Sequence, residues 1–568
     1  MGIVLATPNK GDSLKVTPLK YMHKKRIIAG ILVSTVVLSS IFSVLVLYPP
    51  YHLTAIAPPD VYYTKPHHNL GDYYVYLAAI RQGRLGISGI NRYTTDRVPT
   101  QHLHIYYEFL GQIAQKIGVT DTMMYYLAIV AALFLSTLTA LLFIHTLVPR
   151  GYRVLAGFFV FFSGPLPPWW FSLFGIKIFL GTSYWTRTDV WSRYAMVPHH
   201  GMGAALTGLS TWFLFRFVEK EKPSDAVVSG LLYSASAVVF FVPVFLYGVS
   251  FVLLFAGMGA YYGLLIGMKK MSVRELRNTC KKRKTVFLGL CMIGMLTALT
   301  GFFMFRMGPV ASMVSAEHHY GSSEQFPFLF SLFVLSHGIL LLLYPFAVWR
   351  MKRVLWVERL FLVSITVTPW ILYLLSAWGI FPVAKYRLVF TSPYLFGGIL
   401  ATLGLIRLLP RVRKKFRGFV IFGTTLVILS TGIGNILSYW VEMTKPTYPY
   451  VNIYIPKPVM EGVAYLAASI PPYSHVLTTF FTGMYIPSYT YASVYVGHEL
   501  LSPNSEDKLW FSLAFFNGTM APDEARRFLK DNTIEYVFWN VPESPSRYSD
   551  ILEEVFQNNS VTIFKVVL

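Results

Sequence analysis

The chain has 568 residues, 54% hydrophobic and only 13% charged, with a mean hydropathy of +0.50. That much apolar surface excludes a soluble globular protein of this size, and the lack of short alternating segments argues against a closed transmembrane β-barrel. The net charge of +22 is clustered: segments 1–26, 149–153, 216–225, 268–285, 350–359 and 407–417 hold 29 of the 49 basic residues and six of the 27 acids. The rest, 20 basic and 21 acidic residues, is nearly neutral. Such clustering follows the positive-inside rule and argues against a nucleic-acid partner.

In chain order, a basic cytoplasmic N-terminus (1–26) precedes the first apolar span. About 11 transmembrane helices are predicted, at roughly 27–48, 124–148, 154–168, 201–217, 226–242, 244–267, 286–306, 328–349, 360–380, 393–410 and 418–441. The first span is too long for the core of a signal peptide, and no small-residue cleavage site follows it, so it reads as an uncleaved helix. With the N-terminus inside, alternation places every basic loop in the cytoplasm and the C-terminus outside. Pro243 marks a tight external turn between two spans. Tyr48, Trp169, Trp170, Trp349 and Trp440 fall at span ends, where amphipathic rings favour the interface. The two cysteines, Cys280 and Cys291, supply neither a disulfide framework nor a metal-ligand spacing.

Residues 27–441 therefore form a transmembrane domain with a first external loop at 49–123, and shorter external segments at 169–200, 307–327 and 381–392. From 442 the apolar runs shorten and are broken by Pro, Gly, Asn and charges. Here the pattern predicts helices near 457–469, 505–517 and 522–531, and strands near 475–480, 493–497, 534–540 and 560–567. Residues 442–568 thus read as an extracytoplasmic α/β domain. Asn517 and Asn558 each begin an Asn-x-Ser/Thr triplet within it.

Chemistry is concentrated in the external segments. In the first loop Asp72 stands in Gly71-Asp72-Tyr73-Tyr74-Val75-Tyr76-Leu77, followed by Ile80-Arg81-Gln82-Gly83. Tyr76 lies four residues on, on the same face of the predicted helix, and Arg81 two turns beyond. Leu77, Ile80 and Leu85 suggest that this helix lies amphipathically on the bilayer. Asp60 is the second acid of interest, and with His67 and His68 it offers a ligand set for a divalent ion; Asp96 is a third acid. The second loop carries Arg193 and, at the start of the next span, Pro198-His199-His200, suited to phosphate or sugar hydroxyls. The third carries Glu317-His318-His319. The fourth carries Lys385-Tyr386-Arg387, two cations that break the positive-inside pattern and suit a lipid phosphate at headgroup level. Intramembrane His145 and His337 read as buried structural groups.

An acid just past the first span, followed by Tyr and a Gly-punctuated helix, resembles the GT-C superfamily of integral-membrane glycosyltransferases of the multi-pass, polyprenyl-phosphate-sugar-dependent type. Pro198-His199 and the tail runs Val494-Tyr495-Val496-Gly497-His498 and Tyr536-Val537-Phe538-Trp539 resemble a group within it. The resemblance implies a multi-pass α-helical membrane protein with a C-terminal extracytoplasmic α/β domain. It also implies inverting hexosyl or pentosyl transfer from a polyprenyl-phosphate sugar to a glycan, lipid or protein acceptor, in the cell membrane. Asp72 would be the catalytic carboxylate, with Asp60 second. Tyr76, Arg81, Arg193, His199, His200, Glu317, His318, Lys385 and Arg387 would bind substrate. The first loop has no Asp-x-Asp and no Asp-Glu pair, which argues against a divalent metal without excluding one. Trp169-Trp170 is followed by Phe171, not Asp, which argues against en bloc oligosaccharide transfer. Two other readings are a secondary transporter, which would want midplane ionisable groups and repeats, and a non-catalytic scaffold or flippase partner in envelope glycan assembly.

Overall fold

A helix lies on each of the eleven apolar stretches. The computed structural model describes residues 18–65, 70–86, 88–98, 104–164, 197–240, 242–268, 271–282, 284–306, 337–348, 356–378, 393–444 and 453–568. Helix α1 (Pro18–Ala55) runs past Pro49 and Pro50, seven residues beyond the predicted span. Strand β1 (Val61–Tyr63) and helices α2 (Leu70–Gly83) and α3 (Ile105–Ile117) belong to the first loop, ahead of α4 (Asp121–Leu147) and α5 (Arg153–Phe162). Next come α6 (Pro198–Lys220), α7 (Pro223–Val239), α8 (Val242–Gly267), the short basic α9 (Val273–Lys282) and α10 (Lys284–Arg306). Helices α11 (Ile339–Val348), α12 (Trp356–Ala377), α13 (Pro393–Leu408) and α14 (Arg417–Thr444) complete the helical part.

Local chemistry explains the boundaries. Thr120 caps α4 by accepting the Met123 N–H at 3.2 Å. Prolines open α6 and α7 at their first turns, where a missing N–H costs nothing. Pro243 likewise falls in the first turn of α8, directly after the break at Phe240. Among the described residues, four helices are long and apolar enough to cross a membrane by length and composition, within Ile27–Ala55, Asp121–Leu147, Gly248–Gly267 and Lys414–Val441. On α1 the side chains of Leu32, Val33, Val36, Val37, Ile41 and Val44 face outward, an apolar surface suited to lipid. The chain is a membrane protein with a C-terminal α/β domain.

That domain opens with β2 (Tyr454–Pro456) and α15 (Lys457–Ser469). There follow β3 (His475–Leu477), α16 (Phe480–Tyr489), β4 (Ser493–Val494), α17 (Ser505–Phe516) and α18 (Pro522–Asp531), then β5 (Tyr536–Trp539), β6 (Leu552–Gln557) and β7 (Thr562–Val566). The sheet order is β4-β3-β5-β7-β6, with β3 parallel to both β4 and β5, and the last two pairings antiparallel. Val476, Val494, Val537, Phe538 and Ile563 fill its core.

Six elements are absent from the sequence reading: α3, α9, α16, β1, β2 and β6. Helix α16 contains Gly483 and Pro487, which argue locally against a helix, yet it is packed tightly between α2 and β4. Strand β6 carries exposed Glu553 and Glu554 and pairs only with β7, at the edge of the sheet. Strands β1 and β2 pair antiparallel, Tyr62 opposite Ile455, across most of the chain.

The first-loop helix departs from its expected place on the bilayer. On α2 every residue from Tyr73 to Ile80 is buried, Leu77 and Ile80 almost completely; only Leu85 beyond it is exposed. The cause is packing on several sides. Gly83 and Gly111 bring the backbones of α2 and α3 into contact: a Cβ on Gly111 would stand 1.9 Å from the Ile80 carbonyl oxygen. On another side Ser488 of α16 donates to the Tyr74 carbonyl at 2.8 Å.

Candidate active site at the head of the first-loop helix

Asp72 lies in the first turn of α2, partly shielded from solvent. Its Oδ1 stands 3.9 Å from Nε2 of His498, in the segment that leaves β4. One turn further, Tyr76 stacks on Tyr107 of α3, with centroids 4.3 Å apart and rings 13° from parallel. Tyr107 in turn stacks at 6.2 Å on Tyr125 of α4. The Tyr107 hydroxyl is 2.7 Å from Nδ1 of His199, at the start of α6, and the Tyr76 ring meets the His199 and His104 rings edge-on. Burial raises the Tyr107 phenol well above its ordinary pKa, and the Asp72 carboxylate is among the neighbours that add to the shift. Tyr107 is thus held as a phenol in a hydrogen bond with the His199 ring.

His200 packs beside His199, ring centroids 4.4 Å apart, and against Phe240 at 4.3 Å. The structure thus gathers Asp72, Tyr76, His199 and His200 into one region from two loops. Arg81 is placed otherwise. It pairs with Asp121 at 3.1 Å and donates to the Ser488 carbonyl at 2.9 Å, so it ties α2 to α4 and α16. Nine residues separate it from Asp72, about 13 Å along the helix axis. Asp60 is exposed in the turn before β1, where its carbonyl accepts the Lys457 N–H. His67, His68, Arg193, Glu317, His318, Lys385 and Arg387 lie outside the described residues.

The sequence reading missed Tyr107, His104 and the role of His498 beside Asp72. Only the last had a local signal, a Gly-His pair at the end of an apolar strand. It also missed Glu108, a buried carboxylate beside α2 that accepts the Ser88 and Gly89 N–H groups at 3.2 and 3.1 Å and so holds the turn after α2. Among the described residues no three His, Cys, Asp or Glu side chains stand close enough together to hold a metal ion.

The first loop is laced to the C-terminal domain. Thr94 bridges Val496, the Arg92 carbonyl accepts the Val494 N–H, and Asn91 donates to the Leu501 carbonyl at 2.6 Å. Arg92 is fully buried and donates to the carbonyls of Thr490 and Ala78; burial lowers its pKa to about 10. Lys508 joins Asp96 at 2.8 Å and Thr94 at 2.7 Å.

No family model matches the sequence, and no curated protein matches it. Solved structures do. The apo oligosaccharyltransferase of Archaeoglobus fulgidus superposes with a TM-score of 0.51 at 12% identity, covering 90% of this chain and 69% of that one. The Archaeoglobus fulgidus oligosaccharyltransferase AglB in complex with an inhibitory peptide and a dolichol-phosphate gives 0.50 over the same shares, also at 12% identity. The mycobacterial arabinofuranosyltransferase AftD gives 0.50 at 13% identity, over 94% of this chain and 41% of that one. The chain has the fold of the GT-C membrane glycosyltransferases.

Proposed function

We propose that the protein is a membrane glycosyltransferase that moves a sugar from a polyprenyl-phosphate donor to an acceptor hydroxyl or amide at the extracytoplasmic face, with Asp72 as catalytic base. The observation that carries this reading is the position of Asp72, at the head of a buried helix close to α3, the start of α6 and the C-terminal domain, on a fold shared with such transferases. Asp72 takes the proton of the acceptor as its oxygen or nitrogen attacks the anomeric carbon. The bond from that carbon to the phosphate oxygen breaks on the opposite face, polyprenyl phosphate leaves, and the configuration inverts. Tyr76, His199 and His200 line the sugar's side of the site. Arg193, Glu317 and His318 contribute from the second and third external loops, Arg81 holds α2 in place, and Asp60 is the reserve carboxylate. The direct test is transfer from polyprenyl-phosphate hexoses and pentoses by the purified protein in lipid nanodiscs. Absence of transfer from every such donor would overturn the reading.

Lys385 and Arg387 hold the departing lipid phosphate in this scheme, since two cations stand where orientation rules disfavour them. Replacing both with Gln is expected to raise the KM for the lipid-linked donor roughly tenfold or more, while the protein stays folded. An unchanged KM would remove them from the site.

The topology that accompanies this function has eleven spans, a cytoplasmic N-terminus and an external C-terminal domain. A reporter fused after Leu568 is expected to register the outside, and one inserted within 268–285 the cytoplasm. Both on one side would break the span count.

A further inference from the structure

The imidazole of His498 is held from two directions. Its Nδ1 accepts the backbone N–H of Leu500 at 3.2 Å. A nitrogen that accepts a hydrogen bond carries no proton, so the ring proton of neutral His498 sits on Nε2, the atom 3.9 Å from Asp72 Oδ1. The backbone around it is equally constrained. The His498 N–H donates to the Ser502 hydroxyl at 3.3 Å, and that hydroxyl donates to the Tyr93 carbonyl at 2.6 Å. Gly497 lies so close to α16 that a Cβ there would stand 2.3 Å from the Gly483 carbonyl oxygen. The Tyr93 ring meets the imidazole at 5.9 Å, and the Tyr93 hydroxyl is tied to the Met484 carbonyl. The side chains of His498 and Asp72 are 12% and 20% exposed, shielded enough for an N–H···O contact to count.

We propose that His498 is a positioning residue for Asp72: fixed as the Nε2–H tautomer by Leu500, it orients the Asp72 carboxylate and makes the C-terminal domain part of the catalytic site. At 3.9 Å the pair is about 1 Å too long for a direct hydrogen bond. Catalytic hydrogen bonds are often this long in a ligand-free site and shorten in the substrate complex, which the proposal requires of this pair. The contact is a donor–acceptor pair between a neutral imidazole and a carboxylate, and its work is to fix which way the base points as it takes the acceptor's proton. The inference deepens the transferase reading and rests on it.

The test uses the full chain in nanodiscs with three substitutions. The amide nitrogen of Gln reaches the place of Nε2, whereas that of Asn reaches only the place of Nδ1. His498→Leu and His498→Asn are expected to lower kcat roughly 10–100-fold, the usual cost of removing a group that orients a functional side chain, with the donor KM unchanged. His498→Gln is expected to restore most of the rate. Equal rates for Gln and Leu, or wild-type kcat in His498→Leu, would overturn the proposal. A nitrogen-15 spectrum of histidine-labelled protein needs no turnover and stands even if a variant folds poorly. It is expected to report the Nε2–H tautomer for His498 and a shift of that resonance in Asp72→Asn; an Nδ1–H tautomer, or no shift, would overturn the proposal. Absence of transfer by the wild type from every polyprenyl-phosphate sugar would instead overturn the transferase reading, and wild-type turnover by Asp72→Asn the role of Asp72 as base, so the failures are told apart.

Discussion

Purified Asp72→Asn is expected to transfer sugar about 10²–10⁴-fold more slowly than the wild type, the usual worth of general-base catalysis. Asn keeps the size and the hydrogen-bonding oxygen of Asp72 and removes only its basicity. Because Asp72 is in the first turn of α2 and partly exposed, the change leaves the buried run from Tyr73 to Ile80 untouched. The loss is therefore expected in kcat, with the apparent Tm and the donor KM near wild type. The substitution also separates the competing classes, since a scaffold or a transporter would tolerate it by the measure of its own activity. Near-normal transfer would remove Asp72 from the chemistry and leave Asp60 as the carboxylate to test.

A second large effect is expected at Gly111, through stability. Its ideal Cβ would lie 1.9 Å from the Ile80 carbonyl oxygen and 2.9 Å from the Gly83 Cα, all backbone atoms that no rotamer change can clear. Ordinary overpacking costs about 1–3 kcal/mol. Here a whole helix must move, so Gly111→Ala is expected to reach or exceed the top of that range. Separating α3 from α2 would also draw Tyr107 from Tyr76 and His199, so transfer is expected to fall together with the Tm. Gly30→Ala is the control. Nothing lies within 4 Å of its Cβ position, and a change within about 0.5 kcal/mol is expected. A wild-type melting temperature for Gly111→Ala would contradict the close crossing of the two helices.

Much of this architecture is local and was legible from the chain. Apolar runs of bilayer length with basic clusters between them define helices without reference to distant residues, and a helix lies on every stretch so drawn. The helix at Lys457–Ser469 fell within the predicted bounds because Pro458 sits in its first turn and Pro471–Pro472 follow its end. Asp72 could be singled out because an acid in an oily chain is conspicuous. The partners of α2 were not legible, because they come from far along the chain. Ser488 meets Tyr74 across 414 residues, Ser502 meets Tyr93 across 409, and Lys508 meets Thr94 across 414. No periodicity encodes such pairings. They arise where backbone groups left unpaired by one segment are satisfied by another, and where glycines let backbones touch. For the same reason α2, whose Leu77, Ile80 and Leu85 read as a face for lipid, is enclosed by protein: burial on three sides depends on neighbours, not on its own pattern. Sequence alone thus determined the helical membrane framework and the C-terminal α/β domain, and singled out Asp72 as the carboxylate to test. Only tertiary structure decided that His498 and the Tyr76–Tyr107–His199 cluster stand beside it, since side-chain proximity across hundreds of residues is a property of packing and is written in no single segment.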